Sequence, residues 1–163
     1  AALLLTLETV AGGAQAFAAP SALRAIAALP APGASRRVVL SGDGMMSPFA
    51  IDGRTFEMGR IDAVSRRGEV ERWEVVNESF MDHPFHIHGT QFQVLARTFA
   101  GRAVPEPWLA WKDTVDVRSG DGVALAVRHD SAGLRMFHCH ILEHEDAGAL
   151  PHDEAGPGGV EGP

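Results

Sequence analysis

The chain has 163 residues, enough for one domain with a buried core and something left over. Its formal net charge of −7 argues against a nucleic-acid or anionic-membrane surface as the natural partner. The single cysteine rules out an internal disulfide, and the apolar start over residues 1–18, interrupted by Glu8 and Gln15, is too short and polar for a membrane span and, lacking a basic n-region, is not expected to be an intact signal peptide. The missing initial methionine points to a fragment or a processed chain.

In chain order, residues 3–10 have the composition of a strand that stops at Gly12 and Gly13. Residues 19–35 are rich in alanine and proline and are expected to form a linker, with a helix over 21–29 as the alternative. From Arg36 the signals are those of an all-β domain. A short strand over 37–40 precedes the Gly42-Asp43-Gly44 turn, and 49–58 forms a hairpin turning at Asp52-Gly53. Residues 69–77 alternate, with Val70, Trp73 and Val75 or Val76 directed to the core. Two strand segments flank Gly89-Thr90 within 85–96, and further strands are expected over 114–117, 123–128 and 134–140. Short strands at this spacing predict a Greek-key β-sandwich or barrel, with Trp73, Phe85, Phe92 and Phe137 in its core. The tail over 151–163 is rich in proline, glycine and glutamate, lacks a strand's alternation, and is expected to be disordered.

Chemistry concentrates in two stretches, HPFHIHG over 83–89 and FHCHILEHEDAG over 137–148. Together they hold seven ligand-type residues: His83, His86, His88, His138, Cys139, His140 and His144. If 137–140 ends a strand, His138 and His140 face one way and Cys139 the other. One short piece of backbone then serves a thiolate site on one side and an imidazole site on the other, with His144 curling back towards Cys139. His86 and His88 share a face at strand spacing, and His83 is set off from them by Pro84. A thiolate with imidazoles suits zinc or copper, and a zinc finger would want paired cysteines, so the pattern favours copper. The isolated His129 and His152 fit ordinary core or surface positions better than ligand positions.

HPFHIHGTQFQVLAR and FHCHILEHEDAG resemble the two copper-binding signatures in the C-terminal cupredoxin domain of the multicopper oxidase family, its laccase-like bacterial members in particular. Weaker similarity runs over 36–148, through FAIDGRTFEMGRID, VERWEVVNES and WKDTVDV. The resemblance implies a cupredoxin domain over 36–150, residues 1–18 being the remnant of a preceding domain or an extension. It assigns type 1 copper to His83, Cys139 and His144, type 2 copper to His86, and the type 3 pair to His88, His138 and His140. It implies a laccase-like oxidase that takes electrons from phenols, aromatic amines or metal ions and reduces dioxygen to water. Cys139 would be its electron-entry residue, and Glu145 and Asp146 would help with protons or hydrogen bonds near the oxygen site. Two further His-x-His pairs would come from another cupredoxin domain or subunit. The compartment it implies is periplasmic or secreted.

The sequence departs from that pattern at two points. Relatives with a thioether axial ligand carry it ten residues after the cysteine, which here is Ala149, so a higher-potential site is expected. The strand that closes the domain in relatives is expected to be missing from the tail. The competing functional readings are a non-catalytic blue-copper electron-transfer cupredoxin, using only His83, Cys139 and His144, and a nitrite-reductase-like subunit. Asp82, beside His83, is a candidate contact for a cationic or phenolic substrate.

Overall fold

A computed structural model describes residues 12, 21, 24–42, 48–57, 59–146 and 152–156, without the side chains of 145, 146 and 152. The strands expected from Arg36 onward are present, and they stack as two sheets. One sheet runs β2 (Ala50–Ile51), β1 (Ala34–Ser41), β4 (Val70–Asn77), β10 (Gly122–Arg128), β6 (Phe92–Phe99) and β7 (Arg102–Pro105), with β8 (Trp111–Lys112) also on β6. The other runs β3 (Ala63–Arg66), β12 (His152–Gly156), β11 (Gly133–Cys139), β5 (His83–Ile87) and β9 (Thr114–Val117). The one helix among the described residues is the single turn α1 (Leu142–Asp146). Nothing among the described helices is long and apolar enough to cross a membrane.

Alternation explains how these segments pair. β4 sends Trp73 and Val75 inward and leaves Glu74 outside, and β9 buries Val115 and Val117 while exposing Asp116. Between the sheets Trp73, Leu125 and Phe92 meet Phe85, Ile87 and Phe137 in one cluster. Trp73 and Phe137 pack edge to face, 5.3 Å between ring centroids. The Trp73 indole N–H is not left unpaired, since it donates to Glu71 Oε2 at 3.0 Å. At Asp52-Gly53 both residues adopt positive φ (53° and 71°), and Ile51 and Arg54 exchange backbone hydrogen bonds, a two-residue hairpin turn.

Residues 24–32 carry no regular structure, and none of the described part of 21–29 is helical. This stretch is tied to the sandwich by the fully buried Gln93, whose amide accepts from the Leu29 N–H and donates to the Ala27 carbonyl, both at 2.8 Å. The strand expected over 3–10 lies outside the described residues.

The tail corrects the sequence expectation. Residues 152–156 form β12, which joins β11 antiparallel and β3 parallel, so a closing strand is present. The rest of 151–163 lies outside the described residues. What holds β12 is not an apolar stripe. Ala155 is buried, but so is Asp153, with no exposed surface at all. Its Oδ2 lies 2.8 Å from His129 Nε2, and both carboxylate oxygens accept from the Ser65 hydroxyl at 3.2 Å. His129 is thus buried against the carboxylate, but its Nε2 makes no aligned hydrogen bond there, so Ser65 is the directed donor to Asp153.

Removing the buried carboxylate leaves the Ser65 hydroxyl without its acceptor, at a typical cost of about 1–3 kcal/mol, whereas an exposed ion pair is worth under about 1 kcal/mol. Asp153→Ala is therefore expected to lower the urea midpoint strongly, and Asp130→Ala, which removes the exposed partner of Arg128, barely at all. Equal midpoints for the two variants in urea titrations would show that Asp153 does not hold β12.

Candidate metal centre

The site grows from the pairing of β5 with β11. Their antiparallel register sets Phe137 opposite Ile87, His138 opposite His86 and Cys139 opposite Phe85. Along β5, His83, Phe85 and Ile87 are buried on one face while Pro84 and His86 turn to the other. Pro84 is therefore part of the strand rather than a break in it, and His83 is separated from His86 by the pleat.

On the core side His83, Cys139 and His144 come together. Their ligand-type atoms all lie within 4.8 Å of one another, and all three residues are buried. Cys139 Sγ is 3.4 Å from His144 Nδ1, and the two imidazole centroids are 4.9 Å apart. His144 arrives from α1, as expected of a turn curling back to the cysteine.

The surroundings select the atoms that face inward. His83 Nε2 is 2.7 Å from Ser79 Oγ, and the Ser79 hydroxyl has a ready acceptor in Asn77 Oδ1 at 2.7 Å. The consistent arrangement has His83 Nε2–H donating to Ser79, which leaves the Nδ1 lone pair to the trio. That Nδ1 is buried without a hydrogen-bond partner. An orphaned acceptor beside a thiol and a second imidazole is what a metal ion would satisfy, and the soft His2Cys donor set suits copper. The Ile141 N–H points at Cys139 Sγ from 3.2 Å, a donor suited to a thiolate. Burial pushes the His83 imidazole down to about 4, with His144 adding to the fall and Asp82 opposing it. Burial lowers His144 as well, against Glu143. Both rings are therefore neutral and ligand-ready at neutral pH.

On the opposite face, His86, His88, His138 and His140 gather. The ring centroids of His86 lie 4.9 Å from His88, 5.6 Å from His138 and 4.8 Å from His140. The Nε2 atoms of His88 and His138 converge to 2.8 Å. Backbone carbonyls fix two tautomers: His86 Nδ1 donates to Asp113 at 2.7 Å, and His138 Nδ1 donates to Cys139 at 2.9 Å. In each the lone pair is then on Nε2, which in His138 faces His88 Nε2. An open cleft of about 620 Å³ borders this face, lined in part by His86, Trp111 and Asp113.

All seven ligand-type residues thus fall into two groups, three on one face and four on the other. Glu145 and Asp146 lie in α1, their side chains outside the described residues, as are Ala149 and Leu150. Asp82 is exposed and its Oδ1 accepts from the Ser119 N–H at 2.9 Å. Sequence reasoning passed over Ser79 and Phe49. Ser79 carried one signal, its place four residues before His83, whereas Phe49 reaches the site only through the fold.

The multicopper oxidase family model matches residues 30–150. A multicopper oxidase of Staphylococcus haemolyticus is 38% identical over 123 residues, which take up 73% of this chain and 27% of the relative. A laccase of Bacillus subtilis is 34% identical over 96 residues, 48% of this chain and 19% of that enzyme. The chain spans about a quarter of the length of the curated multicopper oxidases it matches. Among solved structures, a multicopper oxidase from Campylobacter jejuni described as a metallo-oxidase superposes with a TM-score of 0.79 at 34% identity, over 86% of this chain and 34% of that one. A laccase from Pediococcus acidilactici gives 0.76 at 38% identity, over 87% and 31%.

The lowered His83 value has a sign that can be checked in the metal-free chain. The unfolded imidazole titrates near about 6.5. With a folded value of about 4, protonation favours the unfolded chain. Stability is fully retained above the unfolded value and is lost as pH falls towards the folded one. Between neutral pH and about pH 4, the wild type is expected to lose about 3 kcal/mol more than His83→Asn. Parallel urea-derived stability curves for the two proteins would contradict this.

Proposed function

Because this chain belongs to the multicopper oxidase family, we propose that it is the C-terminal cupredoxin domain of a laccase-like oxidase. Such an enzyme would couple one-electron oxidation of phenols, aromatic amines or metal ions to the four-electron reduction of dioxygen to water. The observation that carries the proposal is the two-faced pairing of β5 with β11, which sets three ligand-type residues on the core side and four imidazoles behind them. The laccases and the metallo-oxidase among the relatives support the substrate range.

In this reading His83, Cys139 and His144 hold a type 1 copper, His86 a type 2 copper, and His88, His138 and His140 a type 3 pair. Copper, when bound, supplies a one-electron couple on the thiolate side and the dioxygen-reducing chemistry on the other. The protein's share is positional. Ser79 holds the His83 ring in the tautomer that frees Nδ1, and Ile141 N–H stabilises the sulfur in its charged form. From Cys139 two routes lead to the second face: the main chain directly into His138 and His140, and the hydrogen bond from His138 Nδ1 to the Cys139 carbonyl. Each is only a few bonds long. Glu145 and Asp146 are proposed to manage protons near the oxygen site.

Four imidazoles make half of a three-copper centre. The missing half would come from a preceding cupredoxin domain or another subunit seated on the cleft beside His86. A non-catalytic blue-copper protein would leave His86, His88, His138 and His140 without a task.

Copper titration of the chain is expected to give one tightly held, intensely blue copper and no oxygen uptake. Cys139→Ser should abolish the colour, whereas His86→Ala should keep it. Oxygen uptake should appear only in a longer protein or assembly that adds the complementary histidines, with three further coppers. A colourless copper-loaded chain, or a longer assembly that binds copper on these residues yet consumes no oxygen with a phenol, would contradict the proposal.

A further inference from the structure

Phe49 sits immediately before β2 and is 8% exposed. Its ring stacks on His144, with planes 27° from parallel. The same ring meets His83 edge-on at 5.8 Å and 69°. One side chain therefore touches both imidazoles of the trio and offers no ligand atom of its own. His144 rides on a single helical turn whose preceding residues, Leu142 and Glu143, are exposed. The turn fixes the backbone there, with the His144 N–H on the Ile141 carbonyl at 3.0 Å. The orientation of the imidazole is set by what packs against it.

The approach of Phe49 to the site is itself built. Gly42, at the end of β1, has φ +100°, and a Cβ there would collide with the backbone of Pro48 and Phe49. Only glycine lets the returning chain lie this close to β1. The position of the aromatic ring thus depends on a glycine seven residues earlier as well as on its own packing.

We infer that Phe49 is a positioning residue of the His83–Cys139–His144 centre, fixing the His144 ring and keeping water from the face it covers. This rests on the trio's reading as a copper site. A stacked aromatic restricts rotation of the imidazole about its terminal torsion, which is otherwise broad. An apolar wall also lowers the local dielectric, which disfavours the more highly charged oxidised state and raises the potential.

Two measurements on the full chain test the inference. In the copper-free protein, stacking predicts that the His144 ring protons are shifted upfield in proton NMR by the Phe49 ring current. Phe49→Leu should abolish that shift and Phe49→Tyr should retain it. In the copper-loaded protein, Phe49→Leu and Gly42→Ala should each lower the midpoint potential and move the blue absorption band, with copper still bound. Phe92→Leu, which removes an equally large buried ring from β6, outside the strands that carry the trio, should lower stability and leave the potential unchanged. Unshifted His144 protons in the wild type, or a Phe49→Leu potential equal to wild type, would overturn the inference. If the chain takes up no copper, the copper reading fails, while the NMR shift still decides whether Phe49 holds His144.

Discussion

In the pairing of β5 with β11, Cys139 lies opposite Phe85 and His138 lies opposite His86. Side chains on a strand alternate strictly, so this one register sorts the ligand-type residues between two faces. A slip of a single residue would send Cys139 out and His138 in, and both groups would dissolve together. The register is held by what surrounds it. Phe85, Ile87 and Phe137 belong to the buried cluster under Trp73, and exposing those rings would cost several kcal/mol of transfer free energy. The hydrophobic core and the metal-ligand geometry are therefore one constraint seen from two sides.

Burial then prepares the chemistry. His83 is stripped of water and kept neutral, its outer nitrogen is occupied by Ser79, and its inner nitrogen is left without a partner. An unsatisfied buried acceptor typically costs about 1–3 kcal/mol. An ion at the trio would offset that cost, so a share of the folded state's stability is held in reserve for the metal. On the other face the same logic runs through main-chain carbonyls, which take the Nδ1 protons of His86 and His138. The two faces touch at one peptide, since the carbonyl that orients His138 belongs to Cys139.

Much of this could be read from the residues alone. The alternation in 69–77 identified β4, and the His-Cys-His spacing identified the two faces. The Asp52-Gly53 turn followed from backbone preference. The misses have physical causes. β7 and β8 are short and largely exposed, and β3 is four residues long, so none carries a usable apolar period. β12 is held by Asp153 against His129 and Ser65, a polar anchor that hydrophobic patterning cannot detect. Phe49 lies 95 positions from His144 in sequence and meets it only because β1 and β2 fold back beside the trio. Long-range packing of that kind leaves no local mark.

The central claim is that one sulfur and two imidazoles, delivered by β5, β11 and α1, share a single ion. X-ray absorption at the copper edge of the copper-loaded chain tests it most directly. The account predicts one short copper–sulfur bond with two copper–nitrogen bonds. Cys139→Ala should lose the sulfur, and His83→Ala or His144→Ala should each lose one nitrogen. A first coordination sphere without sulfur in the wild type, or one unchanged by all three substitutions, would contradict it.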